Sequence, residues 1–236
     1  MNDNVLIYFS LCSSIITIAF LVFIYCVILL IGNIVTNLGV GVYYFDKIIG
    51  NIGIQSVFGA ASALAVFALV FLPKLMKKFK FCTILMTGQL IAAALSLVSF
   101  ICYKNIPVLV ICYVLSIFVT LPGVYATSIL LHDMAQFNEY LGLNRMEGSM
   151  SSVQGFMKRA GSALGTFILG VALTVIRYDA AATELEPITF WGLRILMYGL
   201  PLVSALIQAV LWSKYDLENK MPAVKEKLAA REVSAE

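Results

Sequence analysis

Charged residues are scarce in this sequence. Only 12% of its 236 residues are Asp, Glu, Lys or Arg, whereas 61% are hydrophobic; a typical soluble domain is about one-quarter charged. A soluble fold of this size cannot bury so much apolar surface, so lipid must be the solvent for most of the chain. The net charge of +3 is small and the basic residues are separated by apolar segments, which argues against a nucleic-acid partner.

Clustered metal ligands and catalytic groups are also missing. His132 is the single histidine, and the five cysteines contain no Cys-x-x-Cys pair, whereas zinc sites need such ligands close together. No paired-carboxylate or Ser/His motif occurs in any apolar run or connection. The sequence therefore predicts no metal, no other cofactor and no enzymatic activity, and the cysteines are interpreted as small buried hydrophobes.

Long apolar runs dominate the chain instead. Because the hydrocarbon core of a bilayer is about 30 Å thick, a membrane helix needs about 20 apolar residues. The runs predict an all-α integral membrane protein, with a six-helix bundle over residues 1–214 and a cytoplasmic tail over residues 215–236. The first run is twice as long as one span requires, so seven spans are the alternative. The runs cover about residues 5–45, 54–72, 81–102, 107–131, 152–176 and 191–212.

Basic residues alternate between rich and poor connections. Lys47 and Lys104 are alone in theirs, whereas four lysines occur between residues 74 and 80 and five basic residues follow the last run. Cytoplasmic loops carry the excess of Lys and Arg. The predicted location is therefore the cell (inner) membrane, where the protein is multi-pass and its C-terminus is cytoplasmic.

One charged segment interrupts the apolar pattern. It reads DMAQFNEYLGLNRMEGS over residues 133–149 and is predicted to lie in a cytoplasmic connection from about residue 131 to 152. Its acids and bases alternate, which favours a loop held by ion pairs. The alternative is a solvated loop whose exposed pairs contribute little.

This segment resembles the loop signature of the glycoside–pentoside–hexuronide:cation symporters, the melibiose-carrier branch of the major facilitator superfamily. The family pattern is approximately ADxxDYxE[WY]xTGxRxEG, followed by a helix that contains KxGxA. The sequence departs from it at Gln136, Phe137 and the Gly142-Leu143 pair, where the family has Asp, Tyr and Thr-Gly. The matching residues are Asp133, Glu139, Tyr140, Arg145, Glu147, Gly148, Gly161 and Ala163.

Weaker motifs follow the family order, with YYFDKIIGN from Tyr43, basic residues after Pro73 and GLRILMYGLP from Gly192. The resemblance covers about residues 22–217 and corresponds to the C-terminal half of a family member, which has two six-helix halves. It implies secondary active transport of glycosides or other sugars, coupled to Na⁺ or H⁺. The implied partners are the sugar, the lipid bilayer and a separate N-terminal half. In the family the cation-binding acids lie in that other half, and no predicted span here has an acidic residue at its middle.

The run over residues 152–176 contains most of the candidate substrate-binding residues. Arg159, Ser162, Thr166 and Gly170 share one helical face, because they are separated by three, four and four residues. The family's cavity lysine aligns with Arg159, next to Lys158, and the resemblance implies that a cation here binds the sugar. The alternative is that both side chains extend to the membrane interface.

Two pairs of residues are candidates for contacts between helices. Asn33 and Asn37 share a face of the first run, where they would either line the sugar path or bond to a neighbouring helix. Gly161 and Gly165 form a GxxxG motif, which permits close helix packing.

A cytoplasmic gate formed by Asp133, Glu139, Arg145 and Glu147 is the hypothesis for the charged segment. These residues would pair within the loop or with the other half of the transporter. The chain would then supply this gate and one wall of the sugar cavity. The rival hypothesis is a non-transporting remnant or accessory membrane protein, which the altered loop and the missing half favour.

Overall fold

The computed structural model describes most of the chain. The predicted site residues Asn37 and Arg145 lie outside the described residues. The described ranges are 21–36, 39–65, 74–75, 78–140, 147–182, 185–215, 218, 221–222 and 224–227.

Helices are the regular elements in these ranges, and no strand occurs within them. π-helical turns, Phe45–Ile49 and Ile195–Gly199, directly continue the second and the seventh helix. The predicted all-α class is thus confirmed for the described residues. The helices are α1 (21–36), α2 (Gly41–Tyr44), α3 (Ile54–Ala65), α4 (Phe81–Ile101), α5 (Ile106–Tyr140), α6 (Glu147–Val175), α7 (Pro187–Arg194) and α8 (Leu200–Lys214).

Five helical segments among the described residues are long and apolar enough to cross a membrane. The predicted run 54–72 is helical from Ile54 to Ala65, and residues 66–73 lie outside the described ranges. The multi-pass character is supported, whereas the count of six spans stays a prediction. The five segments are Leu21–Ile49, Phe81–Ile101, Ile106–Gly123, Glu147–Val175 and Pro187–Lys214.

Two buried clusters mark opposite ends of the bundle. The long helices run alternately from one cluster to the other, as α4 does from Phe81 to Phe100. The tail-end cluster contains Leu21, Ile24, Tyr25, Ile28, Phe81, Leu85, Leu130, Met134, Phe137, Trp212, Tyr215, Met221 and Val224. The aromatic-end cluster contains Val40, Tyr44, Phe45, Phe58, Leu109, Ile176, Leu193, Leu196 and Tyr198.

The connection after α5 is shorter than predicted. α5 continues through Pro122 to Tyr140, and α6 already begins at Glu147. Asp133 and Glu139 therefore lie on a helix, and the prediction that residues 131–152 form a loop is wrong for the described part of that range.

The apolar face of residues 130–140 explains this difference. Leu130, Met134 and Phe137 are spaced by four and three residues and are all buried in the tail-end cluster. That spacing places them on one side of a helix. Tertiary packing thus extends α5 beyond the apolar run from which its end was predicted.

Two glycines bring α6 close to α1. A Cβ atom added to Gly161 would lie 2.6 Å from Cβ of Asn33, and one added to Gly165 would lie 2.5 Å from the Ile34 carbonyl oxygen. Only glycine fits at such separations, so the predicted packing role of the GxxxG motif is confirmed.

Candidate functional site

A cavity of about 810 Å³ lies between the two buried clusters. Its wall includes Tyr25 and Trp212 of the tail-end cluster and Phe45 and Tyr198 of the aromatic-end cluster. Small-molecule sites in proteins usually have volumes of about 300–1,000 Å³. The cavity is therefore large enough for a small polar solute.

Amide and hydroxyl side chains from five helices line this cavity. Among the described residues of the wall, Lys158 is the single Asp, Glu, Lys, Arg or His. The wall therefore offers a ligand hydrogen bonds much more than ion pairs. The amide and hydroxyl residues are Asn33, Thr36, Gln55, Gln89, Ser96, Ser99, Ser116, Thr120, Ser204 and Gln208, together with the phenols of Tyr25, Tyr113 and Tyr198.

The predicted substrate-binding residues fall in different places. Lys158 belongs to the cavity wall. Arg159 and Thr166 are exposed on α6 and are not among the described residues of that wall. The Thr166 hydroxyl donates a hydrogen bond to the Ser162 carbonyl oxygen at 3.1 Å. Adjacent residues of a helix point about 100° apart, so the two neighbouring cations face different surroundings, and the role of Arg159 stays a prediction.

A buried polar cluster in the wall was not predicted from the sequence. Gln208 is 9% exposed. Its Nε2 donates to Oγ of Ser204 at 3.0 Å, and its Oε1 accepts from Nε2 of Gln89 at 3.3 Å. The available signal was an amide inside each of two apolar runs, where an unpaired polar group is costly.

The C-terminal tail closes the tail end of the bundle. The Glu218 carboxylate accepts hydrogen bonds from the backbone N–H groups of Phe81 and Cys82, at 2.6 and 2.8 Å. These are unpaired donors in the first turn of α4, where a negative charge is stabilised by the helix dipole. Met221 and Val224 are 4% and 3% exposed and join the tail-end cluster. The tail is thus packed against the bundle.

Two of the predicted gate residues have ionisable partners in the structure, and Asp133 forms an ion pair. Oδ1 of Asp133 lies 3.2 Å from Nζ of Lys225 in the tail, and Oε1 of Glu147 lies 3.5 Å from Nδ1 of His132. Glu139 is half-buried on α5. The partner of Asp133 is therefore the tail, which the sequence did not indicate.

A third tail contact lies at the end of α5. Nζ of Lys227 donates to the Tyr140 hydroxyl at 3.0 Å. Nearby, burial raises the pKa of the Tyr215 hydroxyl, so this group stays neutral at physiological pH.

The aromatic end holds a buried arginine. Arg194 is 6% exposed and donates to the Phe100 carbonyl oxygen. Its guanidinium carbon lies 4.0 Å from the ring centroid of Tyr103 and 4.6 Å from that of Trp191, with the rings of Phe100 and Phe190 at 4.7 and 5.4 Å. Aromatic faces attract a cation at such distances, so four rings surround this charge.

A lysine at the aromatic end binds the connection after α6. Nζ of Lys47 donates to the carbonyl oxygens of Ala180 and Ala182, at 2.6 and 2.9 Å. The Tyr43 and Tyr178 rings pack edge to face, with centroids 5.2 Å apart. The connection between α6 and α7 is thus bound to the π-helical turn after α2.

These features define a multi-pass membrane protein of antiparallel helices around a cavity with amide and hydroxyl side chains in its wall. A model of the MFS/sugar transport protein family matches residues 12–219. The chain belongs to this family, which is one of transporters rather than enzymes. The resemblance to the major facilitator superfamily is confirmed at this level, and the melibiose-carrier branch stays a prediction.

Proposed function

We propose that this chain is part of a secondary active transporter of glycosides or related sugars, coupled to Na⁺ or H⁺. The observation that carries the proposal is the cavity of about 810 Å³, lined by amides and hydroxyls, in a member of a sugar-transport family. Each sugar hydroxyl is both a donor and an acceptor, as are the side chains that face it. The aromatic rings of Tyr25, Tyr113 and Trp212 give the same wall flat apolar surfaces, which suit the C–H faces of a sugar ring.

The chain would supply the C-terminal half of the transporter. The order of its motifs supports this assignment, as does the composition of the cavity, since no carboxylate lines the wall among the described residues. A hard cation such as Na⁺ is coordinated by oxygen atoms, and carboxylate ligands favour its binding. The coupling site is therefore assigned to a separate N-terminal half, which would complete the cavity.

Within this chain, Lys158 would contact the sugar from the cavity wall, and Arg159, Thr166 and Asn37 remain proposed contributors. Lysine donates up to three hydrogen bonds to hydroxyl oxygens and would also attract a uronate carboxylate. The exposed position of Arg159 fits a contact made only when the other half is present.

The gate would be the tail end of the bundle. Asp133, Glu139, Arg145 and Glu147 are assigned to it, together with the tail residues that contact α4 and α5. Contacts of this kind break without unfolding a helix, because the Glu218 carboxylate bonds to N–H groups in the first turn of α4 that have no partner within the helix, and the others join side chains. In alternating access, their opening would expose the cavity on the cytoplasmic side.

The experiment is equilibrium binding of a panel of tritiated glycosides to the purified chain in lipid nanodiscs, followed by uptake into vesicles with and without a Na⁺ or proton gradient. We expect binding of at least one glycoside, and weaker binding by Lys158→Ala than by the control Lys214→Ala at the end of α8. Absence of any binding, by the chain alone and with a six-helix N-terminal partner, would contradict the proposal and favour the non-transporting alternative.

A further inference from the structure

We propose that Gln208, together with Gln89 and Ser204, forms a hydroxyl-reading site that determines which neutral sugar the cavity accepts. The proposal rests on the proposed function, because it assigns a substrate-recognition role within the same cavity. It concerns residues of α4 and α8 that lie outside every motif recognised in the sequence.

The three side chains form a connected chain of hydrogen bonds. Nε2 of Gln89 donates to Oε1 of Gln208 at 3.3 Å, and Nε2 of Gln208 donates to Oγ of Ser204 at 3.0 Å. Gln208 and Ser204 lie four residues apart on one face of α8, and Gln89 reaches them from α4. All three belong to the cavity wall.

Gln208 also lies against a third helix. A Cβ atom added to Gly32 of α1 would lie 3.7 Å from Oε1 and 3.9 Å from Nε2 of Gln208, which are ordinary contact distances. Gln208 is 9% exposed, and its hydrogen bonds to Gln89 and Ser204 hold the carboxamide donor and acceptor in one orientation, which a recognition site requires.

The cluster retains hydrogen-bonding capacity for a ligand. A carboxamide has two N–H donors and an oxygen with two lone pairs. Among contacts with the described residues, Gln208 uses one donor and one lone pair, and Gln89 uses one donor. A donor and acceptors therefore remain on each amide. A hydroxyl pair on adjacent carbons of a sugar ring matches such an arrangement, because each hydroxyl both donates and accepts.

The cluster favours a neutral ligand group. None of its three side chains is charged, and the lysine of the cavity wall lies on α6 rather than α4 or α8. A carboxylate placed against two neutral amides would lose hydration without gaining a counter-charge. We therefore assign this part of the cavity to the uncharged hydroxyls of a mono- or disaccharide.

The test is a comparison between variants and deoxy sugars. Methyl α-D-glucoside, methyl α-D-galactoside and their monodeoxy derivatives are titrated into the wild-type chain, Gln208→Met, Gln89→Met and the control Gln154→Met. Gln154 is half-buried on α6 and outside the described cavity wall. Methionine keeps the unbranched shape of glutamine and removes its hydrogen bonds.

In the wild-type chain, removing one particular hydroxyl should weaken binding about tenfold, the effect of one hydrogen bond to a buried amide. The same removal should have little effect in Gln208→Met, and a reduced effect in Gln89→Met. Gln154→Met should behave as the wild type does. A role only in joining α4 to α8 predicts instead that each glutamine variant weakens all sugars by one common factor, and this result would overturn the proposal.

Two further outcomes separate the proposals. If the wild type binds the parent glycosides but no deoxy derivative differs between the wild type and Gln208→Met, the hydroxyl-reading role is wrong and the proposed function stands. If the wild type binds no glycoside of the panel, either alone or with a six-helix N-terminal partner, both proposals fail. Should Gln208→Met fail to fold in detergent, Ser204→Ala gives the same comparison with a smaller change, because it removes only the hydroxyl that accepts from Gln208.

Discussion

The aromatic end and the tail end of the bundle are closed by different kinds of contact. At the aromatic end the contacts come from residues within or between the helices, such as Arg194 among its four rings and Lys47 on the carbonyl groups after α6. At the tail end several come from a segment beyond the last long helix, through Glu218, Lys225 and Lys227.

The difference indicates which end opens at the lower free-energy cost. The contact of Arg194 with Phe100 cannot separate unless α7 and α4 move apart. The contacts of the tail end can be released when one short segment leaves, because its ion pair is partly solvated and joins flexible side chains. This difference supports the proposed gate at the tail end.

The largest effect is expected at the aromatic end. Arg194→Ala should lower the free energy of unfolding by about 3 kcal/mol, because it empties the space between the four rings and removes the attraction to their faces. Arg194→Lys should lower the free energy of unfolding by about 1 kcal/mol, since an ammonium keeps the charge but not the planar stacking. Thermal unfolding in detergent measures both. Equal midpoints for the wild type and Arg194→Ala would show that this end is not held by the cage.

A pair of glycine variants compares packing at the two ends. A Cβ atom added to Gly192 would lie 2.9 Å from Cβ of the buried Ile176, whereas one added to Gly148 meets nothing within 4 Å. Gly192→Ala should therefore destabilise the protein by about 2 kcal/mol through overpacking. Gly148→Ala should stabilise it by about 0.5 kcal/mol through helix propensity. A shift of the unfolding midpoint in the same direction for both variants would contradict this difference in packing.

Glu218→Gln tests the cap that the tail forms on the first turn of α4. The change keeps the shape of the side chain but replaces a carboxylate at the first turn of α4, so we expect a cost of about 1 kcal/mol. Amide hydrogen exchange at Phe81 and Cys82 should become faster, while exchange at the aromatic end stays unchanged. The control is Glu226→Gln, which alters an exposed glutamate of the same tail. Unchanged exchange at α4 in Glu218→Gln would contradict the capping role.

The smallest effect is expected for the ion pair between Lys225 and Asp133. The lysine side chain is 55% exposed, so Lys225→Met should cost less than about 1 kcal/mol. Because salt screens exposed charges, the difference in unfolding free energy between the wild type and Lys225→Met should disappear at high salt. A double-mutant cycle with Asp133→Asn measures the coupling. A coupling that does not decrease with salt would show that the pair is not a solvated, easily opened contact.

The apolar runs predicted the positions of the helices better than their ends. The run 81–102 agrees with α4 (Phe81–Ile101), because a span of bilayer length is set by composition. The end of α5 was missed since its last turns are held by Met134 and Phe137 in the tail-end cluster. Hydropathy does not report such packing between distant parts of the chain.

The site was predicted less completely than the fold. The segment around residue 158 was identified, but a helix turns by about 100° per residue, so one register step separates Lys158 in the wall from Arg159 outside it. Gln208 was missed because one amide hardly lowers the hydropathy of an apolar run. The pairing of Asp133 with Lys225 joins residues almost a hundred positions apart, and no local pattern specifies it.

The most direct test of the sugar site is to fill the cavity with a bulky side chain and measure sugar binding. Ser116 lies in the cavity wall, whereas Ser151 is exposed on α6 outside the described wall. Binding of a tritiated glycoside to the purified chain in nanodiscs is measured for the wild type, Ser116→Trp and Ser151→Trp. Ser116→Trp should lose binding, whereas Ser151→Trp should keep it. Wild-type affinity in a folded Ser116→Trp variant would contradict the assignment of this cavity as the sugar site.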